Sequence, residues 1–416
     1  MEEGLLLGLS LPRTSPDEWD RDVDEMTRLA DTAGIHVTDS LQQSLTHPHP
    51  GHYVGLGFGA RIKALVQERS IDVILANDDL RPAQGAGLED LTGCRVLDRT
   101  QLILEIFAQR AATRAGKLQV ELASLKYALP RLKGQGEAMS RLAGGIGTRG
   151  PGETRLEADR RRIRRRIRDL EERIDSLRVH HRETRKRRSS MPLVSLVGYT
   201  NAGKSTLLNR LADTSVLTED RLFATLDPKI SRLDLPSGMT CLLADTVGFI
   251  RHLPHDLIAS FRATLDEVTH SDVLVHVVDA AHPDALGHMS VVQEVLHDLG
   301  AQHIPVVTAF NKTDELKGGV PAMLRSQGEN PVAVSARSGS GLSDLLRTID
   351  EQLARRRRTV DVTVPFDQGE VLSRIHDSGR VLSEEYGPEG VRVRAELDRP
   401  EADRLMRILV GEDQSG

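Results

Sequence analysis

Residues Gly198 to Ser205 read GYTNAGKS and match the spacing G-x-x-x-x-G-K-[ST] in full. Glycines at this spacing let backbone N–H groups curl around phosphate oxygens at a helix N-terminus. Lys204 would lie along the β- and γ-phosphates, and the Ser205 hydroxyl would be a ligand for Mg²⁺. The apolar run Leu193 to Val197 before the loop and the helical pattern Thr206 to Ala212 after it supply the strand-loop-helix context such a loop requires. Three later segments decide which nucleotide fits. Asp245-Thr-Val-Gly248 offers a carboxylate for Mg²⁺ and a Gly248 amide that can face a γ-phosphate. Asn311-Lys312-Thr313-Asp314 offers a carboxylate able to accept both the ring N–H and the exocyclic amine of guanine, a donor pair that adenine lacks. Ser335-Ala336-Arg337 offers a backbone amide for the guanine carbonyl oxygen. Each motif alone is a common turn. In this order, each at the end of an apolar strand where open parallel sheets bind ligands, they specify a GTP/GDP site.

The expected nucleotide contacts are therefore Gly198, Tyr199, Thr200, Asn201, Ala202, Gly203, Lys204, Ser205 and Thr206, then Asp245, Gly248, Asn311, Lys312, Asp314, Ser335, Ala336 and Arg337. RLFATLDPKI adds Phe223, Ala224 and Thr225, with Thr225 favoured over Thr218 as the threonine that senses the γ-phosphate through Mg²⁺. The metal set is thus Ser205, Thr225 and Asp245. Lys204, Thr225 and Gly248 form the catalytic set. Phe249 raises a question, because an apolar side chain after the glycine cannot orient an attacking water by hydrogen bonding.

The elements that hold these residues follow from pattern. Strands LVSLVG, TCLLAD, VLVHVVD, PVVTAFN and PVAVSA alternate with helical stretches between about 191 and 357, as in a doubly wound, mostly parallel sheet. Residues 1–110 alternate LLLGLS, HYVGLGF, DVILAND and CRVLD with helical segments, a small α/β domain. Within it GLGFGA formally fits a dinucleotide fingerprint, with Asp78 or Asp79 about 20 residues on. Pro48 and Pro50 break the strand that the fingerprint needs, so a structural glycine turn is expected. Residues 358–416 read as a small strand-and-helix module.

Between the two α/β regions, residues 111–190 carry two apolar stripes. Leu118, Leu122, Leu125, Leu129 and Leu132 form one, and Leu156, Ile163, Ile167, Leu170, Ile174 and Leu177 the other. Consecutive stripes of this spacing pair most simply as an antiparallel helical hairpin. Its tip, Lys133 to Thr154, is rich in glycine and is expected as a long loop presenting Arg141 and Arg149. The second helix is strongly basic: Arg155 to Arg188 holds fifteen basic against seven acidic residues, a balance of +8, in a chain whose net charge is −6. The remainder therefore carries −14, and an acidic protein that concentrates arginine in one place points to a polyanionic partner.

Length and composition agree with a multidomain protein. The 416 residues correspond to about three ordinary domains, and 39% hydrophobic content suffices for their cores. No run approaches the roughly 18 apolar residues of a membrane span, and the N-terminus lacks a basic segment followed by a cleavage site, so a cytoplasmic protein is expected; a monomer is the expected state. Cys94 and Cys241 stand alone and are expected as buried thiols.

On VLDRTQLILEIFAQRA, GGIGTRGPGETRLEADRR, GYTNAGKST, FATLDP and DTVGFI, the sequence resembles the HflX family of bacterial translational GTPases over nearly its whole length. The resemblance implies a GTPase that binds the large ribosomal subunit and its rRNA, is stimulated by the ribosome and splits stalled or idle ribosomes after stress. It implies that the hairpin tip reaches toward the peptidyl transferase centre, and it is compatible with peripheral membrane association. An apolar residue in place of the catalytic glutamine belongs to this pattern. In related potassium-dependent GTPases the position of Asn201 helps hold K⁺ beside the phosphates, in place of an arginine finger. Some relatives also bind ATP in the N-terminal region, which GLGFGA does not establish. Two rival readings remain open at this stage: a signalling GTPase whose hairpin binds a protein as a coiled coil, and an ATP-driven RNA-remodelling enzyme with a regulatory GTPase domain.

Overall fold

The computed structural model describes residues 1–12, 16–142, 151–187, 191–212, 222–223, 229–251 and 267–411. They fall into two compact units. The first gathers Met1–Arg178 with the described residues of Thr218–Asp227 and Ile250–Leu265; the second comprises those of Val179–Leu217, Pro228–Phe249 and Asp266–Gly416.

In the first unit the strands are β1 (Glu2–Ser10), β2 (Ile35–Ser44), β3 (Val73–Ala76) and β4 (Arg95–Asp98). They form one parallel sheet in the order β2-β1-β3-β4. The unbroken run Leu5, Leu6, Leu7 is fully buried, as a strand covered on both faces must be. Helices α1 (Pro16–Ala33), α2 (Leu56–Arg69), α3 (Pro82–Thr92) and α4 (Arg99–Arg110) connect and follow the strands. HYVGLGF is not a strand. Tyr53 makes only an isolated bridge to His49, and α2 begins at Leu56 with the extended Gly55 as its N-cap. The dinucleotide fingerprint therefore lacks its strand, for the reason the two prolines gave. Conversely β2, IHVTDSLQQS, is a strand that apolar patterning does not reveal, because it pairs only with β1 and needs little burial.

Helices α5 (Arg114–Leu142) and α6 (Pro151–Arg187) form the hairpin, with Leu122, Ile167, Leu170 and Ile174 buried in its seam and Leu118, Leu125, Leu129 and Ile163 packed around them. Of the expected loop from Lys133 to Thr154, residues 133–142 and 151–154 are helical. Helix α5 continues to Leu142, carrying Arg141, and α6 starts at Pro151, a residue suited to a first helical turn. Gly134 and Gly136, in this part of α5, cost about 1 kcal/mol each, which a long helix with good formers on either side tolerates. Arg149, like Thr218, Ala224 and Thr225, lies outside the described residues.

The second unit holds a six-stranded sheet of β5 (Leu193–Val197), β6 (Lys229–Asp234), β7 (Thr240–Asp245), β8 (Val273–Asp279), β9 (Val306–Asn311) and β10 (Val332–Ala333), in the order β10-β9-β8-β5-β7-β6. Every pair is parallel except β6–β7. Helices α7 (Lys204–Ala212), α8 (Ala285–Asp298), α9 (Ala322–Arg325) and α10 (Leu342–Arg356) accompany it. Val194, Leu196, Leu207, Leu243, Val275, Val307 and Ile349 belong to its core. Strand order turns back at β5, whose neighbours are β7 and β8, and such a reversal opens a crevice at the carboxyl ends of the strands. A three-stranded antiparallel sheet follows: β11 (Arg357–Val364), β12 (Gly379–Gly387) and β13 (Gly390–Asp398), in the order β11-β13-β12, with α11 (Gly369–Ser378) and α12 (Arg399–Gly411). Val393, Ala395 and Leu397 pack against Ile375 and Leu405.

Both cysteines are free and buried, and burial pushes their thiols up, that of Cys241 to about 12. Among the described residues no helix is long and apolar enough to cross a membrane.

Candidate functional site

The loop that leaves β5 is built by backbone demands. Gly203 has φ +94, and a Cβ there would lie 2.3 Å from the Asn311 side-chain nitrogen. Asn201 also takes a left-handed conformation, φ +60, which asparagine tolerates better than most residues. Tyr199 is buried and stacks on His288, ring centroids 3.7 Å apart, while His288 in turn lies 4.3 Å from His282. Ala202 is buried, and Thr206 continues α7 behind Ser205.

Lys204 is 6% exposed, and its ammonium donates to the carbonyl oxygens of Gly198 at 3.1 Å and Tyr199 at 2.8 Å. Burial pushes its pKa down to about 8, against the opposing pull of Asp245. Behind it the buried His276 is pushed down to about 4, first by burial and then by Lys204, and so stays neutral. The sign for Lys204 is definite. Between pH 8 and its ordinary value the ligand-free fold binds fewer protons than the unfolded chain, so this group's contribution to stability rises with pH. An anion placed against the ammonium reverses the shift, and Lys204 takes up a proton. GDP affinity is therefore expected to fall above about pH 8, by up to about tenfold per unit, as Lys204 must be recharged on binding. Calorimetry between about pH 7.5 and 9, in buffers of different ionisation enthalpy, reads the proton uptake directly; an affinity flat across that range, with no proton taken up, refutes it.

Ser205 and Asp245 meet across the crevice. The Ser205 hydroxyl donates to Asp245 Oδ2 at 2.6 Å, and Asp245 is fully buried at the end of β7. Thr246 is tied to the sheet through its hydroxyl and the Leu196 carbonyl, 2.6 Å. The next residues are strapped to the loop: Phe249 donates to Gly198 O at 3.1 Å and accepts from the Thr200 amide at 2.8 Å. Gly248 is thereby pressed against the loop, beside Thr200 and Lys204. A Cβ on it would sit 2.8 Å from Thr200 Cα and 3.1 Å from the Lys204 ammonium nitrogen.

At the other end of the crevice, Asn311 is a tie rather than an open side chain. Its Nδ2 donates to Ala202 O at 2.9 Å, and its Oδ1 accepts from the Ala336 amide at 2.9 Å. The amide expected to meet a guanine oxygen is thus engaged by Asn311, and a base there would share its hydrogen. Asp314 is exposed. The buried Ser335 donates to its Oδ1 at 2.6 Å, and this bond, aided by the charges of Arg337 and Lys312, holds the carboxyl below the usual carboxylate range. Lys312, at φ +61, pairs with Asp279 at 2.7 Å.

Sequence reasoning placed Phe223 at the nucleotide; the structure buries it in the first unit, its ring edge-on to Phe107 with centroids 4.7 Å apart. Arg99 was not singled out, although it is 1% exposed and binds Glu25, Asn77 and the Arg251 carbonyl. A buried arginine leaves no mark in apolar periodicity.

Known proteins add their weight to this geometry. Family profiles match residues 20–108 as "GTP-binding GTPase N-terminal", 110–188 as "GTP-binding GTPase Middle Region", 193–312 as "50S ribosome-binding GTPase" and 323–415 as "HflX C-terminal domain". The GTPase HflX of Caldanaerobacter subterraneus subsp. tengcongensis is 43% identical over 95% of this chain and 92% of its own length. The chain belongs to the HflX GTPase family. HflX of Escherichia coli K12 is 41% identical, covering 92% of this chain and 90% of its own. Among solved structures, a GTP-binding protein of Sulfolobus solfataricus in complex with GDP is 24% identical over 85% of this chain and 99% of its own, with a TM-score of 0.45. As an HflX-family protein the chain is a GTP hydrolase, and its nucleotide-binding G domain is the P-loop domain of the second unit.

Proposed function

We propose that this GTPase binds the large ribosomal subunit and splits stalled or idle ribosomes under stress, with hydrolysis stimulated by the ribosome. The observation that carries the nucleotide half is the convergence of Lys204, Ser205, Asp245, Gly248 and Asp314 on the carboxyl ends of one sheet. The loop amides and Lys204 hold the phosphates. The ionised Asp314 accepts the two guanine N–H groups. Ser205 and Asp245 bring hard oxygen donors within 2.6 Å of one another, a set that fits Mg²⁺, with Thr225 proposed to complete it. Bound there, the ion would neutralise charge on the β- and γ-phosphates. GTP then holds the Thr225 and Gly248 segments, and hydrolysis releases them. K⁺ beside Asn201 is proposed as the charge that stands in for an arginine finger.

The ribosomal half rests on the family profile described as a 50S ribosome-binding GTPase and on the face of α6. Arg161, Arg162, Arg164, Arg165 and Arg168 are exposed there, whereas Arg166 is committed to Glu121 through two bonds of 2.7 and 2.9 Å. Exposed guanidinium groups in a row suit an rRNA backbone, and binding of that kind weakens steeply with salt. Light scattering of intact ribosomes is expected to fall on adding the protein with GTP and to stay level with GDP. Charge reversal at Arg161, Arg164, Arg165 and Arg168 is expected to abolish both the scattering change and pelleting with large subunits, while GDP affinity holds. Pelleting that survives the reversal, or survives nuclease treatment of the subunits, contradicts the rRNA assignment and favours a protein-binding hairpin.

A further inference from the structure

Phe249 spends its backbone on the P-loop, and its side chain is 2% exposed. What it brings close to the loop is Gly248, and the loop residue it meets is Thr200. A Cβ built on Gly248 would lie 2.8 Å from Thr200 Cγ2 as well as 3.1 Å from the Lys204 ammonium nitrogen. Thr200 Cγ2 and the Lys204 ammonium therefore both border Gly248, the residue whose amide is expected to face the γ-phosphate.

Thr200 is 6% exposed, and its Oγ1 has no hydrogen-bond partner among the described residues. A buried hydroxyl left unpaired costs about 1–3 kcal/mol. Valine would fill the same space without that cost, and Thr200 is not among the residues with a left-handed backbone that restrict the choice of side chain. An orphaned polar atom at such a position calls for a ligand-borne partner.

We propose that the Thr200 hydroxyl is a catalytic group of the GTPase reaction, accepting a hydrogen bond from the attacking water and donating its own hydrogen to a γ-phosphoryl oxygen. A glutamine amide divides these tasks between its oxygen and its nitrogen; a hydroxyl has both capacities in one atom. In the step itself, a bond forms from the water oxygen to Pγ while the bond from Pγ to the β,γ-bridging oxygen breaks. GDP leaves with the electron pair, and the water's proton ends on the released phosphate. Thr200 is neither consumed nor ionised. This deepens the GTPase reading and rests on it for the position of the γ-phosphate.

The test uses the full chain: single-turnover GTP hydrolysis, GDP affinity and trapping of GDP with aluminium fluoride, in wild type, Thr200→Val, Thr200→Ala and Thr200→Ser. Loss of one positioned hydrogen-bonding group costs on the order of 10²–10³ in rate where such groups have been removed, and at least tenfold is expected in Thr200→Val and Thr200→Ala. Both should keep GDP affinity within about twofold and lose aluminium fluoride trapping, while Thr200→Ser keeps most of the wild-type rate. Hydrolysis at the wild-type rate in Thr200→Val overturns the proposal. So does an equal slowing in Thr200→Ser and Thr200→Val, since the hydroxyl would then be irrelevant. A fall in GDP affinity as large as the fall in rate also counts against it, because GDP offers this hydroxyl nothing to hold. Failure of the wild-type chain to bind GDP would instead remove the nucleotide reading beneath it.

Discussion

Asp314→Asn is expected to lower affinity for GDP by about 10²–10⁴-fold and to raise affinity for the xanthine nucleotide. The carboxylate is proposed to accept two guanine N–H groups, each a charge-assisted bond of about 1.5–3 kcal/mol, and their joint loss sets that range. Asparagine faces guanine with one acceptor and one donor, so one guanine N–H meets an N–H. Xanthine replaces the exocyclic amine by a carbonyl, which restores a matched pair. The structure contributes the reason why the wild-type group is charged and oriented. Ser335, itself buried, donates to Asp314 Oδ1 at 2.6 Å and holds its pKa low. Asp314 accordingly loses its charge only when pH falls well into the acid range. Equal affinities of wild type and Asp314→Asn for both nucleotides, measured by competition against a fluorescent analogue, would remove Asp314 from base recognition.

The phosphate-facing half of this site was legible because backbone geometry dictates residue type. Gly203 must take φ +94 beside Asn311, and a Cβ on Gly248 would sit only 2.8 Å from Thr200, so both positions read as glycine in the sequence. The parallel sheet was legible for a similar reason: strands buried on both faces are apolar throughout, as in VLVHVVD of β8. Strands with an exposed face or edge were not. β2 with IHVTDSLQQS, β6 with KISRLD and β12 with GRVLSEEYG carry too few apolar residues to stand out. The double tie through Asn311 was also invisible, because N-K-x-D spacing says which residues stand at the strand end but not which of them spend their hydrogen bonds on the loop. Phe223 is the opposite case. Its neighbours suggested a nucleotide contact, but a phenyl ring follows apolar burial, and Phe107 supplied it.

Turnover of GTP is expected to be about tenfold or more faster in KCl than in NaCl, and the preference is expected to vanish when the Asn201 side chain is removed. An arginine finger is worth about 10³–10⁵ where one is used, so a monovalent cation in its place has a large margin in which to act. The competing explanation is local: Asn201 has φ +60, and an asparagine is accounted for by that backbone alone. Asn201→Ala confounds the two, since it removes the amide and adds about 1–2 kcal/mol of left-handed strain. Asn201→Gly separates them, because glycine takes φ +60 freely while lacking the side-chain oxygen that would hold the ion. If Asn201→Gly retains GDP affinity and hydrolyses GTP at one slow rate in both salts, the side chain serves the cation. If it keeps the potassium preference, or if wild type shows none, Asn201 is there for the turn. Thr200→Val gives the internal control: a group that aligns water should slow hydrolysis by the same factor in both salts, leaving the ratio between them unchanged.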